Sequence, residues 1–170
     1  MEFLSWVENL PFCIWIRESG SVWAYPTVLF LHTLGLGIVM GLNSAIDLRL
    51  LGFAPKTPIA PLEKFLPLIW WGFWINAASG VVLLMADATT KVVSPIFYIK
   101  MGCILLAVWV LVYIRKMVFR HPGVEKMYVT PLGKILAGTS LALWIGAVTA
   151  GRLMAYLGPV SGIPGMKNHF

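Results

Sequence analysis

The sequence has little charge for its length. It has 13 Lys and Arg and 7 Asp and Glu among 170 residues, while 59% of the residues are hydrophobic. A soluble domain of this size needs much more polar surface, because it cannot bury so large an apolar fraction. The scarcity of charge therefore argues against a water-soluble enzyme and a disordered chain. With a mean hydropathy of +0.83, it predicts an integral membrane protein.

Short motifs that hold metals or nucleophiles are also missing. The two cysteines, Cys13 and Cys103, form no CxxC, CxxCH or zinc pattern, which argues against covalent c-type haem attachment and a structural zinc site. No nucleophile elbow, phosphate loop or HExxH occurs. Basic and aromatic residues are not interleaved as in a nucleic-acid groove. We therefore expect no nucleic-acid partner.

Four apolar runs, at 22–45, 65–86, 96–115 and 132–157, provide the main structural signal. Each has about 20 residues, the length that a ~30 Å hydrocarbon core requires. They predict an all-α integral membrane fold, a four-transmembrane-helix bundle over 21–158. Residues 1–20 mix Trp with charged residues and predict an amphipathic helix at the membrane interface. Residues 159–170 are rich in Gly and Pro and predict an irregular C-terminal tail.

The Lys and Arg residues predict the orientation in the membrane. Eight of them lie around the loops after the first and third runs, and five lie on the opposite side. By the positive-inside rule, those two loops face the cytoplasm. A multi-pass protein of the bacterial inner membrane, with both termini in the periplasm, is the resulting prediction.

Ionisable and polar side chains inside the spans are the candidate functional residues, because they are energetically unfavourable there. His32 and Asn76 are predicted to lie deep, whereas Lys100 and Arg152 are predicted nearer the same outer surface. Asp47 and Arg49 are predicted to form a separate pair at the cytoplasmic end of the first span.

This pattern predicts a b-type haem site. A neutral imidazole is a common ligand of haem iron, so His32 is the predicted metal ligand. Lys100 and Arg152 are predicted to hold the haem propionates, and Gly35 to leave space for the macrocycle. Asn76 and Met101 complete the predicted cofactor-binding set. The second axial ligand stays open among Met101, Met154, Lys100, water and a His of another subunit, because His121 and His169 lie outside the spans.

Each of these residues also has a structural interpretation. His32 and Asn76 can serve as interhelical hydrogen-bonding residues. Lys100 and Arg152 can extend to the interface, and Met101 can fill a packing gap. The GxxxG pair Gly37 and Gly41 favours internal bundle packing over a homodimer face. Trp70, Trp71 and Trp74 are predicted to be core residues rather than cofactor neighbours.

Three stretches carry a family resemblance: 31–37 with 47–52, 95–100, and 150–157. They resemble the first, third and fourth spans of a bacterial four-helix membrane family of unknown function. The chain is also distantly similar to the copper-resistance D-type membrane proteins and the HemJ-type protoporphyrinogen oxidases. Those groups place a His in an early span and a Lys at the start of a later span, matched by His32 and Lys100. The resemblance implies a haem- or metal-related redox role.

We therefore expect a membrane haem b protein that transfers electrons within the bilayer. Two alternatives are a non-catalytic accessory subunit of a larger membrane complex and a HemJ-like porphyrin-oxidising enzyme. Besides the lipid bilayer, the partner is either a second copy of the chain or a larger membrane redox complex.

Overall fold

The computed structural model describes residues 2–119 and 129–156, and all of its regular structure is helical. Seven α-helices occur there: α1 Glu2–Glu8, α2 Pro11–Glu18, α3 Tyr25–Leu51, α4 Leu66–Met85, α5 Ala88–Val93, α6 Pro95–Ile114 and α7 Pro131–Tyr156. A 3-10 helix, Ala60–Phe65, leads into α4, and a π-helical segment, Arg115–Phe119, extends α6. The predicted tail at 159–170, His121 and His169 lie outside the described residues.

Four of these helices, with their extensions, are long and apolar enough to cross a membrane: α3, α4, α6 and α7. Large apolar side chains also cover their outer surfaces, for example Trp71, Leu105 and Ile135, which are each about two-thirds exposed. Helices that are apolar all round belong in lipid or in the core of a much larger protein. The predicted all-α, four-helix membrane fold is confirmed.

Proline marks where the spanning helices begin. The first turn of each spanning helix contains a proline: Pro26, Pro67, Pro95 or Pro131. Backbone N–H groups in the first turn have no carbonyl partner within the helix, so proline, which lacks the N–H, loses no helical hydrogen bond there. The first span runs six residues further than predicted and ends at Leu51, with Gly52 as its C-cap. This glycine has φ +111°, and its N–H bonds the carbonyl of Arg49. Only glycine adopts that left-handed geometry readily, so the helix stops there.

The four spanning helices pack in the order α4, α3, α7, α6. The helices α3 and α4 form one hairpin and α6 and α7 form the other, and α3 contacts α7 between them. We call the two ends of the bundle the Tyr25 end and the Leu51 end, after the first and last residues of α3. Most of the apolar core, including Leu50, Ile114 and Ala137, lies towards the Leu51 end.

The N-terminal segment contains two short helices where one was predicted, because Pro11 starts a second helix. The helix α1 packs against α5 at the Tyr25 end. Glu8 accepts hydrogen bonds from the backbone N–H and the hydroxyl of Thr89, at 2.7 and 2.9 Å. A carboxylate at the first turn of a helix satisfies an otherwise unpaired donor. The interfacial location of this segment stays a prediction.

Candidate functional site

His32 lies seven residues into α3, about 10 Å from its start, and its imidazole is held against α4. Its Nδ1 is 3.0 Å from the carbonyl oxygen of Asn76 and 3.2 Å from the hydroxyl of Ser79. In the reverse direction, the side-chain amide of Asn76 donates to the His32 carbonyl at 2.7 Å. The sequence placed His32 and Asn76 at similar depth, and the structure joins them directly.

The shortest contact of Nδ1, to the Asn76 carbonyl, fits one tautomer of His32. The Asn76 carbonyl only accepts, so the hydrogen bond requires a proton on Nδ1 of His32. The Ser79 hydroxyl donates to the Ile75 carbonyl at 2.6 Å, which leaves its oxygen to accept from His32. A neutral His32 therefore carries its lone pair on Nε2, to which no described residue is hydrogen-bonded. A backbone carbonyl on one ring nitrogen and a lone pair on the other is the usual arrangement of a metal-binding histidine.

Two glycines bring α3 and α4 into close contact next to His32, on the side towards the Leu51 end. A Cβ at Gly35 would lie 2.7 Å from the backbone nitrogen of Asn76 and 2.7 Å from the carbonyl oxygen of Gly72. A Cβ at Gly72 would meet Ile38 at 2.7 Å. The prediction that Gly35 leaves space for a macrocycle is wrong, because the backbone of α4 fills that space. Gly35 acts instead by letting the two helices approach.

Gly80 provides the surface against which the imidazole rests. A Cβ there would lie 3.0 Å from Cε1 of His32 and 3.4 Å from Nδ1. The ring is therefore fixed on three sides, by the Asn76 carbonyl, the Ser79 hydroxyl and the bare backbone of Gly80. The sequence analysis missed Ser79 and Gly80. Their spacing from Asn76, three and four residues along α4, places all three on one helix face and is the signal that could have found them.

Two lysines supply positive charge at the same end of the bundle. Lys100 is half-buried, and its Nζ lies 3.7 Å from where a Cβ of Gly151 would stand, so its side chain packs on α7. Lys91, which the sequence analysis did not select, donates to the Leu83 carbonyl at 3.3 Å and pairs with Asp87 at 3.6 Å.

The other two predicted residues are not joined to His32. Arg152 is exposed on α7, and within the described ranges it makes no hydrogen bond or ion pair with that histidine. Met101 is half-buried on α6 beside Lys100, and no described hydrogen bond links it to α3. The structure thus joins His32 to Asn76 and brings Lys100 to the same end.

A second polar cluster lies deep between α3 and α7. The side-chain amide of Asn43 donates to Oδ2 of Asp47 at 2.7 Å and to the hydroxyl of Ser140 at 2.8 Å. All three side chains are fully buried. The predicted pairing of Asp47 with Arg49 is wrong: the guanidinium of Arg49 donates to the carbonyls of Pro55 and Thr57 in the following loop.

Two further predictions fail at the lipid-facing surface. Apart from the backbone of α3 itself, no atom of the described residues lies within 4 Å of a Cβ at Gly37 or Gly41, so this pair does not pack against another described helix. Both glycines line an open apolar groove of about 570 Å³ on the outer side of α3. Trp71 and Trp74 are more than 60% exposed rather than core residues, which is the lipid-facing placement that Trp tolerates in membranes.

No three His, Cys, Asp or Glu side chains within residues 2–119 and 129–156 come together as a metal site. A metal at His32 would therefore take most of its ligands from something other than these side chains. A porphyrin supplies four nitrogens of its own, so a single protein histidine is a suitable axial ligand for its iron.

Comparisons with protein-family models, with curated proteins and with solved structures find no match to this chain.

Proposed function

We propose that this protein is a membrane haem b protein that transfers electrons within the bilayer, with Nε2 of His32 as an axial ligand of the iron. The observation that carries the proposal is the hydrogen bond from Nδ1 of His32 to the Asn76 carbonyl. It orients the ring and reserves the lone pair of Nε2 for a metal. When bound, the haem would supply one-electron redox chemistry.

The surrounding residues fit one axial ligand and one propionate partner. Ser79 is a second acceptor for Nδ1–H at 3.2 Å, which favours one ring orientation over rotation about the Cβ bond. Lys100 lies at the same end of the bundle, half-buried against α7, and there it would supply the cation that neutralises a propionate. Arg152 and Met101 stay proposed contributors, as a second propionate partner and a second axial ligand.

A haem measurement on the purified protein tests this proposal. The wild-type protein in detergent should show b-type absorption bands, oxidised and dithionite-reduced, with close to one haem per chain by pyridine haemochrome. His32→Ala should lose the haem and keep its helical circular dichroism and monodisperse elution. His169→Ala is the matched control, because it removes a histidine that follows the fourth apolar run in the sequence, and it should keep the haem.

A colourless wild-type protein, or an unchanged spectrum in His32→Ala, would contradict the proposal. In that case His32 and Asn76 would act as an interhelical clamp, as the accessory-subunit alternative requires. Oxidation of added protoporphyrinogen by the haem-loaded protein, but not by His32→Ala, would indicate the porphyrin-oxidising alternative.

We also propose an inner-membrane location with the Tyr25 end at the periplasmic side. The excess of Lys and Arg around the loops at the Leu51 end supports this orientation. Alkaline phosphatase fused to the N-terminus should be active, and fused within the loop at 52–58 it should be inactive. The opposite pattern would reverse the orientation.

A further inference from the structure

We propose that Asp47 and Asn43 form a proton-binding site inside the membrane, in which Asp47 holds one proton as a neutral carboxylic acid. The ligand is the proton, and the site is separate from His32, fifteen residues or about 22 Å further along α3. Asp47 would hold this proton whether or not His32 binds a cofactor.

No cation among the described residues pairs with Asp47. Its side chain is fully buried between α3 and α7, and within residues 2–119 and 129–156 it makes no salt bridge. A buried carboxylate without a cation is strongly destabilising, more so in a membrane. Either a proton or a bound cation must therefore neutralise it.

The charged and titratable groups on the neighbouring elements do not fill that role. On its own helix, Arg49 donates to the carbonyls of Pro55 and Thr57, and His32 lies towards the other end. On α7, Lys134 is exposed, and Arg152 and Tyr156 lie near the Tyr25 end. The helix α4 has no ionisable residue. On α6, Tyr113 stacks on Trp109, and Lys100 and Tyr98 lie near the Tyr25 end. Arg115 follows α6; it is exposed and pairs with Glu63.

Two buried oxygens of this cluster also lack hydrogen-bond partners. Oδ1 of Asp47 and Oδ1 of Asn43 are both fully enclosed and accept no hydrogen bond within the described residues. They belong to the two planar groups that are already joined by the bond from Nδ2 of Asn43 to Oδ2 of Asp47. A buried acceptor that receives no hydrogen bond is energetically unfavourable.

A single proton would compensate for both the missing counter-charge of Asp47 and the missing hydrogen-bond donor. Placed on Oδ1 of Asp47, it removes the charge and provides the donor that the Asn43 amide oxygen lacks. A carboxylic acid and a primary amide are complementary, since each offers one donor and one acceptor. Ser140 completes the cluster by accepting the second amide hydrogen of Asn43 at 2.8 Å.

Infrared spectroscopy of the full-length protein in lipid nanodiscs tests this inference. A protonated carboxylic acid has a carbonyl stretch above the amide I band, where an ionised carboxylate has none. The chain contains only two aspartates, Asp47 and Asp87, so labelling with [13C]aspartate isolates them. At neutral pH the wild-type protein should show an acid band that moves to lower frequency with the label.

Matched variants assign the band. Asp87→Asn removes the other aspartate, which is half-buried and paired with Lys91, and should keep the band. Asp47→Asn should abolish it. Asn43→Ala should raise its frequency, because the carbonyl oxygen Oδ2 loses its donor.

Labelled Asp87→Asn is decisive even if Asp47→Asn does not fold, because Asp47 is then the only aspartate present. An acid band in that variant supports the site. Carboxylate bands alone would overturn it and would point to a bound cation instead. A band frequency that Asn43→Ala leaves unchanged would refute the acid–amide pair.

Discussion

Replacing Gly35 by alanine tests the close contact that positions His32. The new Cβ would lie 2.7 Å from two backbone atoms of α4, the Asn76 nitrogen and the Gly72 oxygen, about 0.7 Å short of the 3.4 Å at which ordinary contact begins. Neither atom is at the end of a flexible side chain, so α3 and α4 must move apart. The bond from the Asn76 amide to the His32 carbonyl, now 2.7 Å, would approach the limit of hydrogen bonding.

The expected destabilisation combines two effects. Overpacking of this kind costs about 1–3 kcal/mol, and an interhelical hydrogen bond in a membrane contributes about 0.6–1.7 kcal/mol. We expect Gly35→Ala to lower the free energy of unfolding by roughly 2–4 kcal/mol. Unfolding of the protein in mixed micelles, by SDS titration and circular dichroism, measures this change.

Gly37→Ala is the matched control for Gly35→Ala. The substitution is chemically identical and lies two residues away on the same helix, yet nothing is within 4 Å of the new Cβ. It should change the free energy of unfolding by less than about 0.5 kcal/mol. If Gly35→Ala unfolds at the same SDS concentration as Gly37→Ala, the contact between α3 and α4 through Gly35 is refuted.

Three further substitutions probe other contacts. Gly80→Ala places a Cβ 3.0 Å from His32 Cε1, so the imidazole ring must move. We expect the pyridine haemochrome assay to show less haem per protein, at nearly unchanged stability. Full haem content would contradict the position of the ring against Gly80. Glu8→Ala removes the acceptor of the Thr89 N–H and should speed tryptic cleavage near the N-terminus. The control Glu2→Ala changes an exposed residue and should leave the cleavage rate unchanged. Equal rates in the two variants would show that the Glu8–Thr89 contact does not hold α1 in place. Arg49→Gln removes donors to two loop carbonyls and should increase proteolysis within 52–58. An unchanged digestion pattern would show that these hydrogen bonds do not order the loop.

The spanning helices were predictable because their signal is local. Runs of about 20 apolar residues, each opened by a proline, identify them without knowledge of their neighbours. The depth of His32 and Asn76 was predictable for the same reason, since it needs only a residue count from the helix start. Their hydrogen bond required one further fact, that α3 and α4 are adjacent.

The failed predictions depend on which helix faces which. Gly35 and Gly37 are both glycines on one helix, but only Gly35 points at α4, and nothing in the local sequence distinguishes them. Asp47 was assigned to Arg49 by proximity in sequence, whereas its partner Asn43 lies four residues earlier on the same face. That spacing was visible in the sequence; Ser140, 97 residues from Asn43, was not predictable from local pattern.

The pairing of Asn43 with Ser140 has a consequence for biosynthesis. It is a side-chain hydrogen bond between the first hairpin and the second, and α7 leaves the ribosome after α3, α4 and α6. Until α7 arrives, the inserted first hairpin exposes Asn43 and Asp47 to lipid or to the insertion machinery. A chain truncated before Pro131 should therefore be degraded in cells, and co-expression of α7 as a separate polypeptide should restore its abundance.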